Sequence, residues 1–118
     1  MILPKRWSLY TVDLEPRIGT KPGKQRPCLA IQPDAFAEAG LKSTVVLPLT
    51  SKVILGDTYP LRVTIPQGIA GLTVDSDILI DQVLAWDNSL FRQEIGLLPD
   101  YFISKVKAAL IDFLDLHH

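Results

Sequence analysis

The chain has 118 residues, 47% of them hydrophobic and 21% charged, with a formal net charge of −1. That is the length of one domain with enough apolar side chain for one core. It excludes a disordered chain and, with no apolar run near the roughly 18 residues a span needs, a membrane-spanning helix. Cys28 is the single cysteine and the two histidines are His117 and His118, so an internal disulfide, a cysteine-based zinc site and an internal imidazole base are excluded as well.

The opening Met-Ile-Leu-Pro-Lys-Arg lacks the apolar stretch and small-residue cleavage site of a signal peptide, so a cytoplasmic protein is expected. Charge is uneven along the chain. Residues 1–27 hold six basic and two acidic residues, and the remainder holds six basic and eleven acidic ones. The overall balance argues against broad nucleic-acid binding, while the local excess suits one basic surface that tracks a few phosphates. From charge alone, a solvated loop is the simpler reading.

In chain order, residues 8–14 are rich in β-formers and predict a strand. Residues 15–27 carry three prolines, two glycines and four basic side chains, and predict a long irregular loop of the kind that often has a functional role. Residues 28–32 are a short apolar run that fits a buried strand. Residues 33–40 open on Pro and close on Gly, which predicts one or two helical turns. Residues 44–50, Thr-Val-Val-Leu-Pro-Leu-Thr, are the strongest β segment, and Pro48 within it implies an edge position or a bulge. Residues 61–65 alternate as a half-buried strand does. Residues 77–83 predict a further buried strand, and residues 91–97 a weaker one.

The tail, residues 99–116, changes period. Phe102, Val106, Ala109, Leu110 and Phe113 recur at spacings of three and four and make one apolar face. Pro99 suits the first helical position and Asp100 the positive end of the helix dipole, although Leu98 gives no side-chain cap. Short strands followed by one amphipathic helix predict a single, mainly β domain. Its expected form is a small SH3-like twisted barrel or antiparallel sheet covered by the helix.

Read together, the segments resemble the MazF/PemK family of toxin endoribonucleases. Residues 6–16, Arg-Trp-Ser-Leu-Tyr-Thr-Val-Asp-Leu-Glu-Pro, are similar to the family's opening strand and its Asp-Leu-x-Pro ending. Residues 18–27 resemble its Gly-Ser-Glu-Gln-Gly-Gly-x-Arg-Pro loop, residues 30–36 its Val-Val-x-Asn-Asp stretch, and residues 45–51 its Val-x-Pro-Leu-Thr-Ser strand end. Asp81-Gln82 resembles its Asp/Glu-Gln pair. There are departures. Trp7 and Ser8 follow Arg6 where the family often has Gly-Asp, and Lys21, Pro22 and Lys24 stand where its loop has Glu, Gln and Gly.

The resemblance implies sequence-specific cleavage of single-stranded RNA without a metal or other cofactor. The 2′-OH beside the scissile phosphate attacks phosphorus, and the 5′-oxygen leaves. Arg26 and Thr50 stand at the family's catalytic positions. A guanidinium offers a planar fork of donors to the phosphoryl oxygens, and a threonine hydroxyl can add another hydrogen bond. The proton route stays open between Arg26, Asp81 and a water. Lys21, Lys24, Gln25, Ser51, Asp81 and Gln82 are the implied RNA contacts. The resemblance further implies a homodimer with RNA in an intersubunit groove, and an antitoxin that folds into that groove.

Plainer readings stand beside these. Arg26 is also a surface cation at the start of a strand, Thr50-Ser51 a strand end, and Asp81 one half of a structural salt bridge. Trp7 and Tyr10 suit base stacking or, better, core or dimer packing. Related CcdB-type toxins bind gyrase and cleave nothing, so a non-enzymatic binding module on the same fold, or a catalytically decayed homologue that binds an antitoxin, are the alternatives.

Overall fold

The computed structural model of the chain describes residues 2–15 and 24–117. Among them the elements run β1 (Ser8–Glu15), β2 (Lys24–Ala30), α1 (Asp34–Glu38), β3 (Ser43–Thr50), β4 (Arg62–Ile65), β5 (Ser76–Leu79), β6 (Leu84–Asp87), β7 (Phe91–Leu97) and α2 (Asp100–Leu114). A single 3-10 turn, Asn88–Leu90, joins β6 to β7.

The strands make one antiparallel sheet in the order β4-β5-β3-β2-β1-β7, with β6 added beside β3. β4 and β7 end this order, so the expected small β fold takes its open-sheet form and does not close into a barrel. β3 is its spine. One side of β3 pairs with β2. The other side pairs with β6 over Ser43 to Val46 and with β5 at Leu49 and Thr50. Pro48 falls between those two partners. It is therefore at neither an edge nor a bulge. Proline lacks the N–H that a ladder needs, and here the second side of the strand has no ladder to serve.

Side chains alternate across this sheet as strand geometry requires. Leu9, Leu29, Leu47 and Leu49 point to one face and join Ile65, Ile78, Val106 and Ala109 in the larger core under α2. Tyr10, Val12, Cys28, Ala30 and Val46 point to the other and pack with Phe91. The rings of Tyr10 and Phe91 meet edge to face at 5.6 Å. Tyr10 is thus a core residue, and its hydroxyl accepts the Lys5 N–H at 2.8 Å.

The differences from expectation have local causes. The loop predicted over residues 15–27 is shorter, because β2 reaches back to Lys24 by pairing with β1 on one side only. The strand predicted over residues 77–83 ends at Leu79, and a turn carries Ile80 and Asp81. Asp81 is therefore exposed, and the fully buried carboxylate of this region is Asp77. β6 was not foreseen. In α2, Pro99 is the cap itself and accepts the Phe102 and Ile103 N–H groups on its carbonyl, so the helix starts one residue later than expected. Phe113 is exposed, and Ile103 packs on the core in its place.

Candidate functional site

The β2–β3 ladder pairs Ala30 with Val46, Leu29 with Leu47, and Cys28 with Pro48. The ladder ends at that pair, and Arg26 and Thr50 each stand two residues beyond it in their own strand. Both lie on the Cys28 face of the sheet, since residues two apart in a strand share a face. Both line one cleft of about 490 Å³. Lys24, Gln25 and Arg26 give it one wall from β2. Thr50, Ser51 and Lys52 give it another from the end of β3. Thr73 and Ser76, just before and at the start of β5, close it.

Three of the described lining residues are cations and none is a carboxylate. Such a cleft favours an anion. Arg26 also acts inward. Burial pushes the Cys28 thiol up to about 12, and the nearby Arg26 guanidinium only partly opposes it. The cysteine is therefore an unreactive thiol in the packed face beneath the cleft.

The hydroxyl of Thr50 has a defined partner. Its Oγ1 accepts the Lys52 N–H at 3.2 Å. An oxygen engaged as acceptor keeps its own proton for another group, so Thr50 is set up to donate into the cleft. Thr50 is also the ladder partner of Asp77 on its other side. Asp77 is fully buried. It accepts Thr64 Oγ1 at 2.6 Å, the Ile54 N–H at 3.1 Å and Arg62 Nη1 at 3.1 Å. Burial alone would push this carboxyl up; the three donors together with the Arg62 charge outweigh it and hold Asp77 below the ordinary carboxylate range.

Of the residues expected from sequence, the structure brings together Arg26, Thr50, Lys24, Gln25 and Ser51. Lys21 lies outside the described residues. Asp81 and Gln82 are exposed around the turn after β5 and do not line the cleft. Nor does Trp7, whose ring lies under the Arg6 guanidinium at 4.7 Å and near the Lys107 ammonium at 5.7 Å. Sequence reasoning missed Lys52, Thr73 and Ser76. Lys52 was adjacent to a named pair and could have been found. Thr73 and Ser76 reach the cleft only through the fold and carry no local signal. Among the described residues no group of three or more His, Cys, Asp or Glu side chains is placed to hold a metal ion.

A second cleft, of about 520 Å³, runs along β4 and α2 and includes Tyr59, Arg62, Tyr101 and Lys105. It does not include Arg26 or Thr50.

Comparison with known proteins gives consistent results. Residues 5–114 match the family described as PemK-like, MazF-like toxin of type II toxin–antitoxin system. The chain is 28% identical to the endoribonuclease MazF2 of Mycobacterium bovis, over 94% of this chain and 96% of that protein. Its fold is similar to that in a MazE–MazF crystal structure from Deinococcus radiodurans, with TM-score 0.77 and 23% identity over 99% of this chain and 100% of the other. It is also similar to an endoribonuclease in complex with its cognate antitoxin from a mycobacterial species, with TM-score 0.74 and 21% identity over 98% of each chain.

Proposed function

The chain belongs to the PemK-like, MazF-like toxin family of type II toxin–antitoxin systems, and from this we propose that it is an endoribonuclease that cuts single-stranded RNA at the Arg26–Thr50 cleft. The observation that carries the reading is the meeting of Arg26 and Thr50 in a cleft lined by three cations and no carboxylate among the described residues.

The chemistry follows from the residues. The 2′-OH attacks the adjacent phosphorus, a 2′,3′-cyclic phosphate forms, and the 5′-oxygen departs with a proton. Charge builds on the non-bridging oxygens in the transition state. Arg26 answers it with paired N–H donors, and Thr50 donates its hydroxyl. Lys24 and Lys52 hold the flanking phosphates, and Gln25 and Ser51 offer hydrogen bonds to base edges or sugar. Asp81 and Gln82 stand apart from this chemistry, and any contact they make to RNA is a separate one.

The curated relative is an endoribonuclease, which favours cleavage over a non-enzymatic module or a decayed homologue. The other parts of the reading have support of the same kind. Similar folds are found in a MazE–MazF structure and in an antitoxin complex, and the basic cleft suits an acidic antitoxin segment as it suits RNA. A homodimer in the cytoplasm completes the proposal. Among the described residues no helix is long and apolar enough to cross a membrane.

The test is incubation of a long single-stranded RNA in EDTA with the protein and with Arg26→Ala and Thr50→Ala. Discrete fragments with 5′-hydroxyl ends are expected, formed far more slowly by both variants. Intact RNA across several transcripts, with gyrase inhibited or an antitoxin bound instead, would move the assignment to the non-cleaving alternatives.

A further inference from the structure

The Asp77–Arg62 pair touches the cleft without lining it. Arg62 Nη1 donates both to Asp77 Oδ2 at 3.1 Å and to the Lys52 carbonyl at 3.0 Å. Asp77 Oδ2 also takes the Ile54 N–H at 3.1 Å. The segment that leaves β3 is thus tied down at Lys52 and at Ile54. Lys52 is held at both of its backbone groups: its carbonyl accepts from Arg62, and its N–H donates to Thr50 Oγ1 at 3.2 Å. The carboxylate in turn is fixed by Thr64 Oγ1 at 2.6 Å and by the ladder, where Asp77 stands between Thr64 and Thr50. Of these contacts the Lys52 N–H is the one that reaches the Thr50 hydroxyl, and the others hold Lys52 and the segment after it in place.

We propose that Arg62 and Asp77 are positioning residues for RNA cleavage: by pinning Lys52 they hold its N–H on Thr50 Oγ1 and so direct the Thr50 proton toward the phosphoryl oxygens. The proposal rests on the assignment of Thr50 made above. A hydroxyl without this partner has three staggered orientations to choose among, and an oxygen that can turn inward no longer donates reliably. Small misplacements of a positioned donor cost rate steeply. Arg62 is the residue to vary, since it is partly exposed while Asp77 is fully buried. A direct contact between Arg62 and RNA would be felt in binding, whereas positioning is felt in the rate of the bound complex.

The experiment is a double-mutant cycle under single-turnover conditions, with enzyme in excess over a short RNA that spans a mapped cleavage site. The four proteins are the unmodified chain, Arg62→Met, Thr50→Ala, and the double variant. Affinity is measured on the same RNA with a 2′-deoxy residue at the scissile position. Arg62→Met is expected to slow cleavage about tenfold in the unmodified background and less than twofold in Thr50→Ala. Affinity should stay within twofold, and Arg62→Lys should recover most of the rate. Equal slowing in both backgrounds, or a tenfold loss of affinity, overturns the positioning role while leaving Thr50 catalytic. Full activity in Thr50→Ala overturns the assignment of Thr50 itself, and the positioning role with it. Should Arg62→Met fail to fold, Arg62→Gln, which keeps a neutral donor, goes through the same cycle with the same criteria.

Discussion

Gly96 and Ala70 meet backbone to backbone: a Cβ built on Gly96 would lie 2.5 Å from the Ala70 carbonyl oxygen. Gly71, with φ of +77°, faces the Ile95 carbonyl just as closely. Two glycines therefore let the segment that carries Leu72, Thr73 and Val74 to the cleft lie flat on β7. The backbone has no flexible side chain to give way there.

Gly96→Ala is accordingly expected to cost about 1–3 kcal/mol, as over-packing does. It should also lower cleavage beyond the loss of folded protein, because the displaced segment forms a wall of the cleft. Urea unfolding beside single-turnover cleavage checks both parts. A neutral substitution would mean that the segment moves freely.

Thr50→Ser and Thr50→Val separate the hydroxyl from the shape. Serine keeps the donor and should retain cleavage within about tenfold. Valine keeps the volume and should lose about 10² or more, the scale of one removed oxyanion donor. Equal rates for the two variants would remove the hydroxyl from the mechanism.

Cys28 offers a reactivity test. Its thiol is pushed up to about 12 by burial, so alkylating reagents at pH 8 should leave it untouched in the folded protein and modify it in urea. The linkage has a definite sign. The folded pKa lies above the unfolded one, near 8.5. The stabilisation is thus complete below that value and is lost as pH rises from about 9 toward 12. Fast modification of native protein at pH 8 would contradict the packing described around the thiol.

Asp77 behaves in the opposite direction. Its folded pKa is held below the ordinary carboxylate value, so its contribution is fully present above about pH 4 and is lost as pH falls below that. Thermal unfolding should show stability falling in that acid range, with a smaller fall in Asp77→Asn. Asp77→Ala at neutral pH is expected to cost about 3 kcal/mol, the scale of leaving a buried pair half removed. An unchanged melting temperature would place Asp77 outside the network drawn from its contacts.

Much of the fold was legible where one segment carries its own signal. β7 spans Phe91–Leu97 as its pattern predicts, and α2 follows from the spacing of Phe102, Val106 and Ala109. β6, Leu84-Ala85-Trp86-Asp87, is four residues long and owes its strand form to β3 alone, so nothing local announces it. Arg26 and Thr50 came from a resemblance rather than from chemistry visible in the sequence. Their place in one cleft is a property of the fold, which sets the start of β2 beside the end of β3. The importance of Asp77 over Asp81 was hidden for the same reason. Each aspartate has one apolar and one polar chain neighbour, and only the register shows that the first stands between Thr64 and Thr50.

The β3–β5 joint consists of two rungs, Leu49 with Ile78 and Thr50 with Asp77. The first rung packs in the hydrophobic core, and the second joins Thr50, which lines the cleft, to the buried Asp77. Selection on the two cannot be independent. A substitution at Ile78 that improves packing under α2 also shifts Asp77 one residue away, and through it Thr50. Stabilising variants found at this joint should therefore often be slower enzymes, whereas stabilising variants around Tyr10 and Phe91, several strands from the joint, are free of that coupling.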